Sequence, residues 1–150
     1  MSDKHTRAAS LVVEVIPKFM RALASDWRHD EHSCDPGHFR VLLILLTEGS
    51  TNLSTLAAKL EVSLPTMSNS ISTLVERGWV LRRRDPDDRR RVLIEITPRG
   101  CGVLEHIRNV AQAHVSRALR DLSEQECEII IEGMAALGRA FDGNHLNSES

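Results

Sequence analysis

The sequence predicts a mainly α-helical protein with one small β-hairpin. Three features carry that expectation. Segments near both ends space their apolar residues as a helix does. Two short helical segments in the middle are joined by only three residues, Glu61-Val62-Ser63. Two β-favouring runs, Trp79-Val80-Leu81 and Val92-Leu93-Ile94-Glu95-Ile96, bracket a turn centred on Asp85-Pro86.

The first helix is expected over Leu11 to Trp27, where Val12, Ile16, Phe19, Met20, Leu23 and Trp27 form one apolar stripe. Pro17 inside it removes a backbone donor and is expected to kink it or leave one carbonyl unpaired. The polar, His-rich segment from Arg28 to Ser33 reads as a loop. Asp35-Pro36 then looks like an N-cap followed by proline at the first helical position. The helix it opens carries Phe39, Val41, Leu42, Leu43, Ile44, Leu45 and Leu46, apolar almost all round, so it should be central and buried. Glu48-Gly49-Ser50 ends it.

Ser54 is expected to cap a short helix, Thr55 to Leu60, with Leu56, Ala57 and Leu60 inward. Ser63 is expected to cap the next, which has Pro65 in its first turn and runs to Arg77. Gly78 stops that helix, because glycine readily takes the left-handed conformation at a helix end. Two short helices on a three-residue turn have helix-turn-helix proportions. The hairpin follows, roughly Trp79 to Ile96, with Val92, Ile94 and Ile96 alternating with Leu93, Glu95 and Thr97 as in a half-buried strand. Thr97-Pro98 opens a long helix whose stripe is Val103, Leu104, Ile107, Val110, Ala111, His114, Val115 and Ala118. Ser123-Glu124-Gln125-Glu126 is a capping box. It starts a last helix with Cys127, Ile130, Ile131, Met134, Leu137 and Phe141 inward, and a frayed tail is expected from Gly143 onward.

Six arginines fall within the ten residues 82–91. A structural hairpin has no need of so many like charges, which repel at close range. Net charge over 150 residues is only −2, yet residues 77–91 hold seven Arg and three Asp, a local +4 that leaves −6 on the rest. A basic patch on an acidic body suits a polyanion, and nucleic acid is the first partner to consider.

The helix before the hairpin points the same way. At about 100° per residue, Leu64, Met67, Ile71, Leu74 and Val75 face the core. Pro65, Thr66, Asn69, Ser72, Thr73 and Glu76 face out, with Ser68 and Ser70 at the margins. Read alone, that is a solvated helix. A face built only for solubility would use Lys, Glu and Arg, which are better helix formers. Short hydroxyls and an amide instead suit close approach to base edges and phosphates. A recognition helix with a basic wing places the helix in the major groove and the wing on the flanking backbone or minor groove.

No apolar run approaches the ~20 residues of a membrane span, and Met1 to Arg7 lacks the layout of a signal peptide. The expected location is the cytoplasm, with no membrane partner. Three cysteines, Cys34, Cys101 and Cys127, with no Cys-x-x-Cys spacing, fit a reducing compartment and exclude a zinc ribbon or thioredoxin-type motif. There is no nucleophile paired with a base, no Gly-rich phosphate loop, no metal triad and no serine in a nucleophile elbow. The expectation is a non-enzyme without a cofactor.

The element order resembles the MarR family of bacterial transcription regulators from about Leu11 to Phe141. Asp85 to Gly100 is similar to that family's wing signature, Asp-x-Arg followed by alternating aliphatics and Leu-Thr, then a helix opening with x-x-Gly; Ile96 stands where Leu is commoner. Leu74 to Val80 resembles the end of its recognition helix, and Leu53 to Ala57 the start of its helix-turn-helix.

The resemblance implies a single chain of residues 1–150 with a winged helix-turn-helix DNA-binding lobe at 36–97 and helical dimerisation segments at 6–30 and 98–142. It implies a homodimer on a near-palindromic double-stranded operator, and a repressor relieved by a small-molecule effector. Asp88 and Arg90 match the wing Asp-x-Arg, with Arg90 entering a narrow minor groove and Asp88 setting the wing. The candidate DNA contacts are Pro65, Thr66, Ser68, Asn69, Ser70, Ser72 and Thr73 on the helix. On the wing they are Arg82, Arg83, Arg84, Asp88, Arg89, Arg90 and Arg91.

A pocket for an aromatic acid between lobe and dimer helices is common in that family, and Trp27, His38 and Arg40 are the residues expected to line it. Two alternative readings stay open. One is a metal- or redox-sensing regulator of the same fold, in which Cys34 and His38 ligate a metal near His29 and His32, against the plainer reading of Cys34 as a surface thiol. Some relatives use further histidines from the long helix that here carries His106 and His114, but these two are eight residues apart, two turns rather than one, and His114 lies on the apolar stripe. Peroxide-sensing relatives keep a reactive cysteine in the first helix, and this chain has none there. The other alternative is a winged-helix module that binds protein. Cys127 is expected to be a core thiol. Cys101, in the first turn of its helix, suits either a dipole-stabilised thiolate or burial.

Overall fold

The computed structural model describes residues 2–27 and 34–144, as six helices and one hairpin in the order α1 Asp3–Trp27, α2 Pro36–Glu48, α3 Leu53–Leu60, α4 Leu64–Glu76, β1 Val80–Arg84, β2 Val92–Ile96, α5 Pro98–Ala118 and α6 Glu124–Asn144. They form two compact units, Met1–Ala111 and Gln112–Ser150. The expected loop at Arg28 to Ser33 lies outside the described residues.

In the first unit, α2 to α5 wrap one apolar core. Val41, Leu42 and Leu45 come from α2, Leu56, Ala57 and Leu60 from α3, and Met67, Ile71 and Leu74 from α4. The hairpin adds Trp79, Val80 and Ile94, and α5 adds Val103, Leu104 and Ile107. Leu42, Leu56, Ile71 and Leu74 are fully shut off from solvent. At roughly 1.5–3 kcal/mol for each fully buried aliphatic side chain, these residues hold α4 against the rest of the lobe.

The helix starts follow from short polar side chains. Asp35 Oδ1 accepts from the Gly37 amide at 2.7 Å, with Pro36 beginning α2 as expected. Ser63 Oγ accepts from the Thr66 amide at 3.2 Å. At α6 the capping box closes: the Ser123 amide donates to Glu126 Oε2 at 2.9 Å, and the Glu126 amide to Ser123 Oγ at 3.2 Å. The Ser123 amide, together with its hydroxyl donating to the same Oε2 at 2.9 Å, holds the Glu126 carboxyl below the usual carboxylate range. The α3 cap is Asn52, not Ser54: Asn52 Oδ1 accepts from the Thr55 amide at 2.8 Å, so the helix begins at Leu53. Asn caps at least as well as Ser and lies two residues earlier, so its cap forms first along the chain.

The hairpin pairs antiparallel, with Val80 opposite Ile96, Arg82 opposite Ile94 and Arg84 opposite Val92. A third segment joins it. Thr51 exchanges two backbone hydrogen bonds with Ile94, at 2.7 and 3.2 Å. Gly78, at φ 73°, turns the chain from α4 into β1. Thr97 ties the corner: its hydroxyl donates to the Gly78 carbonyl at 2.6 Å and accepts from the Gly100 amide at 3.1 Å.

Several expectations need correction. α1 begins at Asp3, eight residues earlier than expected, with Pro17 inside it. Of its stripe, Leu23 is buried, but Ile16, Phe19 and Met20 are exposed. α2 is not buried all round, since Leu43 and Leu46 are also exposed. On α4, Leu64 is 51% exposed and faces out; it sits at the first helical position, before the chain has entered the core. In the second unit α6 continues to Asn144 rather than fraying at Gly143. There Cys127, Ile130 and Leu137 are half-buried, while Ile131, Met134 and Phe141 are more than half exposed, as is Ile129. The α6 stripe is wider than this unit can cover by itself.

Candidate nucleic-acid interface

α4 and the hairpin together build a polar, cationic surface. Burying Met67, Ile71 and Leu74 turns the opposite side of α4 outward. Pro65, Thr66 and Asn69 are exposed, while Ser68, Ser70, Ser72 and Thr73 are half-buried. Several of these hydroxyls are already engaged. Ser63 donates to Thr66 Oγ1 at 2.8 Å, and Thr73 donates back to the Asn69 carbonyl at 3.2 Å. The Asn69 side-chain amide makes no hydrogen bond among the described residues.

The arginines sort by strand alternation. Successive side chains on a strand take opposite faces, so Arg82 and Arg84 share the face of buried Val80, and Arg83 takes the other. Arg82 Nη2 donates to Ser72 Oγ on α4 at 3.1 Å. Arg83 Nε pairs with Glu95 of β2 at 2.6 Å. Arg84 Nη1 reaches the Arg89 carbonyl at 3.5 Å.

The tip is shaped by aspartates. Asp85 Oδ1 accepts from the Asp87 amide at 2.9 Å, as the turn reading required. Asp88 Oδ1 accepts from the Arg90 amide at 3.1 Å, and its carbonyl accepts from the Arg91 amide at 2.9 Å. Arg89, Arg90 and Arg91 are exposed, and their side chains make no ion pair among the described residues. A cleft of about 590 Å³ lies at the tip between Arg84, Asp85, Pro86 and Arg89.

A second, apolar cleft of about 670 Å³ lies within the first unit. Met20 and Leu23 of α1, Phe39, Leu43 and Leu46 of α2, and Cys101, Leu104 and Ile107 of α5 wall it, with Glu105, Arg108 and Ala111 completing it. Neither His38 nor Arg40 lines this cleft, and the Trp27 side chain lies outside the described part. Sequence reasoning missed this lining. The signal was there in the outward apolar Leu43 and Leu46, which α2 carries beyond what one core face needs.

Cys34 is buried rather than at the surface. Its Sγ donates to the Asp35 carbonyl at 3.6 Å. Burial pushes the thiol up to about 11, with nearby Arg77 opposing and Asp35 adding. His38 is half-buried, and its Nδ1 is buried without a hydrogen-bond partner. Burial lowers its pKa, Asp35 pulls it back up and Arg77 lowers it further. Arg77 itself lies 4.8 Å over the Trp79 ring. Among the described residues no group of three or more His, Cys, Asp or Glu side chains is arranged to hold a metal. His29 and His32 lie outside them. No described helix is long and apolar enough to cross a membrane.

Comparison with known proteins supplies a frame for this surface. A model of the MarR family matches residues 35–92, from the start of α2 into β2. The uncharacterized HTH-type transcriptional regulator YkoM of Bacillus subtilis is 30% identical over 118 residues, 75% of this chain and 77% of that protein. YfiV of the same organism, also an uncharacterized HTH-type transcriptional regulator, is 27% identical over 103 residues, 69% of this chain and 64% of its own length. Among solved structures, the transcriptional regulator Tm0710 from Thermotoga maritima superposes with a TM-score of 0.78 at 21% identity, covering 91% of this chain and 95% of its own.

Proposed function

Because the chain belongs to the MarR family, and is thus a DNA-binding transcriptional regulator with a winged helix-turn-helix fold, we propose that it acts as a homodimeric repressor on a near-palindromic operator. α4 enters the major groove, and Asn69 is its principal reader of base edges. Arg90 enters the adjoining minor groove, where a narrow A·T-rich stretch concentrates negative potential. The observation that carries this reading is the tip of the hairpin. The Asp88 carboxylate accepts the Arg90 amide, while Arg89, Arg90 and Arg91 are exposed and make no ion pair among the described residues.

The homodimer is supported by the apolar residues left uncovered, Phe19 and Met20 on α1 and Ile131, Met134 and Phe141 on α6. Monomers rarely expose apolar stripes of this kind on their helices. The 670 Å³ cleft is the seat we assign to an effector. Its apolar walls suit an aromatic ring, and Arg108 is placed to pair with a carboxylate. His38 and Arg40, expected to line an effector pocket, do not wall this cleft, and the Trp27 side chain lies outside the described part. The metal- or redox-sensing alternative is weakened by the environment of Cys34, because a buried thiol held near 11 resists forming the thiolate that binds metal or meets oxidant.

Gel shifts across a salt series test the reading. Arg90→Ala should weaken operator binding by roughly 1–3 kcal/mol and lower the salt slope by about one unit. Unchanged affinity and slope would remove Arg90 from DNA recognition.

A further inference from the structure

Resting on that reading, we propose that the three arginines of β1 have separate roles. Arg82, seated on Ser72, is the clamp for the phosphodiester strand that runs between the groove filled by α4 and the groove filled by the wing. Ser72 is its positioning residue, and Arg83 is a brace of the wing that does not touch DNA.

The argument begins at Val80. Its side chain is buried, and the same face of the strand next presents Arg82, beyond the edge of the core. A guanidinium there meets the flank of α4, where Ser72 Oγ accepts from Nη2 at 3.1 Å. Guanidinium carries five N–H donors in a planar fork. One is used by Ser72, and no carboxylate neutralises the charge among the described residues. The residue is exposed. Its position is set by two elements at once, the strand that carries it and the helix that holds it. A helix lying in one groove and a wing in the next are separated by a single sugar-phosphate strand, and Arg82 is the cation fixed between them.

Arg83 differs in face and in partner. It lies on the opposite face, and its Nε is bonded to Glu95 at 2.6 Å. Its charge is cancelled locally, so it releases no counterion on binding. Arg84 is intermediate, bonded to a backbone carbonyl at the tip with its charge intact. Six clustered arginines thus do not amount to six phosphate contacts.

The test uses the full-length chain, a duplex recovered from a random pool by selection with the wild-type protein, and an unrelated duplex. Fluorescence anisotropy is read from 50 to 200 mM salt, with thermal melts beside it. Arg82→Ala should reduce the salt slope by about one on both duplexes, so that its affinity deficit changes about threefold to fourfold across that range. Arg82→Lys, which keeps the charge, should restore the slope. Arg83→Gln should leave the slope unchanged on both duplexes, whatever its melting temperature does. Ser72→Ala should weaken binding in the wild-type background and add nothing in the Arg82→Ala background.

A slope lost equally in Arg83→Gln and Arg82→Ala would overturn the division of roles. Additive effects of Ser72→Ala and Arg82→Ala would overturn the positioning role of Ser72. A wild-type chain that selected no duplex would instead defeat the DNA-binding reading on which the proposal rests.

Discussion

Adding one methyl group at Gly100 should loosen the reading head. A β-carbon built there overlaps the Trp79 carbonyl oxygen and stands 2.8 Å from Ile96 Cγ1. Ile96 is half-buried and can yield by some tenths of an ångström. The Trp79 carbonyl cannot, since it accepts from the Thr97 amide at 3.0 Å and lies where α4 passes into the wing. Overpacking of this kind costs about 1–3 kcal/mol, and breaking the Trp79–Thr97 bond adds about 1 kcal/mol. Replacing a helical glycine returns about 0.5–1 kcal/mol. The balance is a loss of about 1–3.5 kcal/mol, equivalent to about 2–14 °C in melting temperature for a chain of this size. Gly102, two residues on in the same helix, has open space around its β position, so Gly102→Ala should hold or raise the melting point. Circular dichroism melts of the two variants beside the wild type make the measurement. A Gly100→Ala protein melting within a degree of the wild type would refute the packing argument, and Gly102→Ala falling as far as Gly100→Ala would show that helix chemistry, not the Trp79 carbonyl, is responsible.

The remaining expectations concern readout, pH and assembly. Asn69→Ala should cost about 1–3 kcal/mol on the selected duplex and little on random sequence; equal losses on both would refute base reading by this amide. Cys34 should be alkylated by iodoacetamide at pH 8 far more slowly than Cys101 and Cys127 in the folded protein, with the difference vanishing in denaturant; equal rates would contradict its burial. Because the folded thiol titrates near 11, above the ordinary 9.0, its stabilising share is complete below pH 9 and is lost as pH rises through 11. His38 runs the other way: its folded pKa lies below the ordinary 6.5, so stability should decline as pH falls from 6.5, and His38→Gln should flatten that decline in urea titrations at stepped pH. Ile131→Glu with Met134→Glu should yield a monomer by light scattering and weaken operator binding about a hundredfold or more through loss of the paired half-site; an intact dimer would take α6 out of the interface.

Most of the architecture was legible because it rests on local chemistry. Asp35, Ser63 and Ser123 capped their helices as read, Gly78 took its left-handed turn, and Leu56, Ala57 and Leu60 turned inward. Misreadings arose where two residues competed or where burial depends on something distant. Asn52 and Ser54 are both competent caps, and spacing alone does not rank them. Leu64 has the right phase for the core but sits at the helix mouth. Ile131, Met134 and Phe141 have the spacing of a buried stripe, yet periodicity does not say whether the covering surface comes from the same chain. The pairing of Thr51 with Ile94 crosses more than forty residues and leaves no pattern in sequence. The candidate DNA surface was legible as composition, but the inequality of its arginines was not. The pairing of Arg83 with Glu95 and of Arg82 with Ser72 depends on register and on the placement of α4 beside β1.

The Thr51 bridge bears on how such a protein can change its target. An isolated two-stranded ribbon is marginal in water, but here the base of the ribbon is sewn to the segment before α3 through Ile94, which is almost wholly enclosed. The outer loop, residues 85–91, contributes nothing to that enclosure. Residues that keep the molecule folded and residues that address the operator therefore occupy different stretches of one short ribbon. Drift in the loop can retune the address while the base goes on holding the shape.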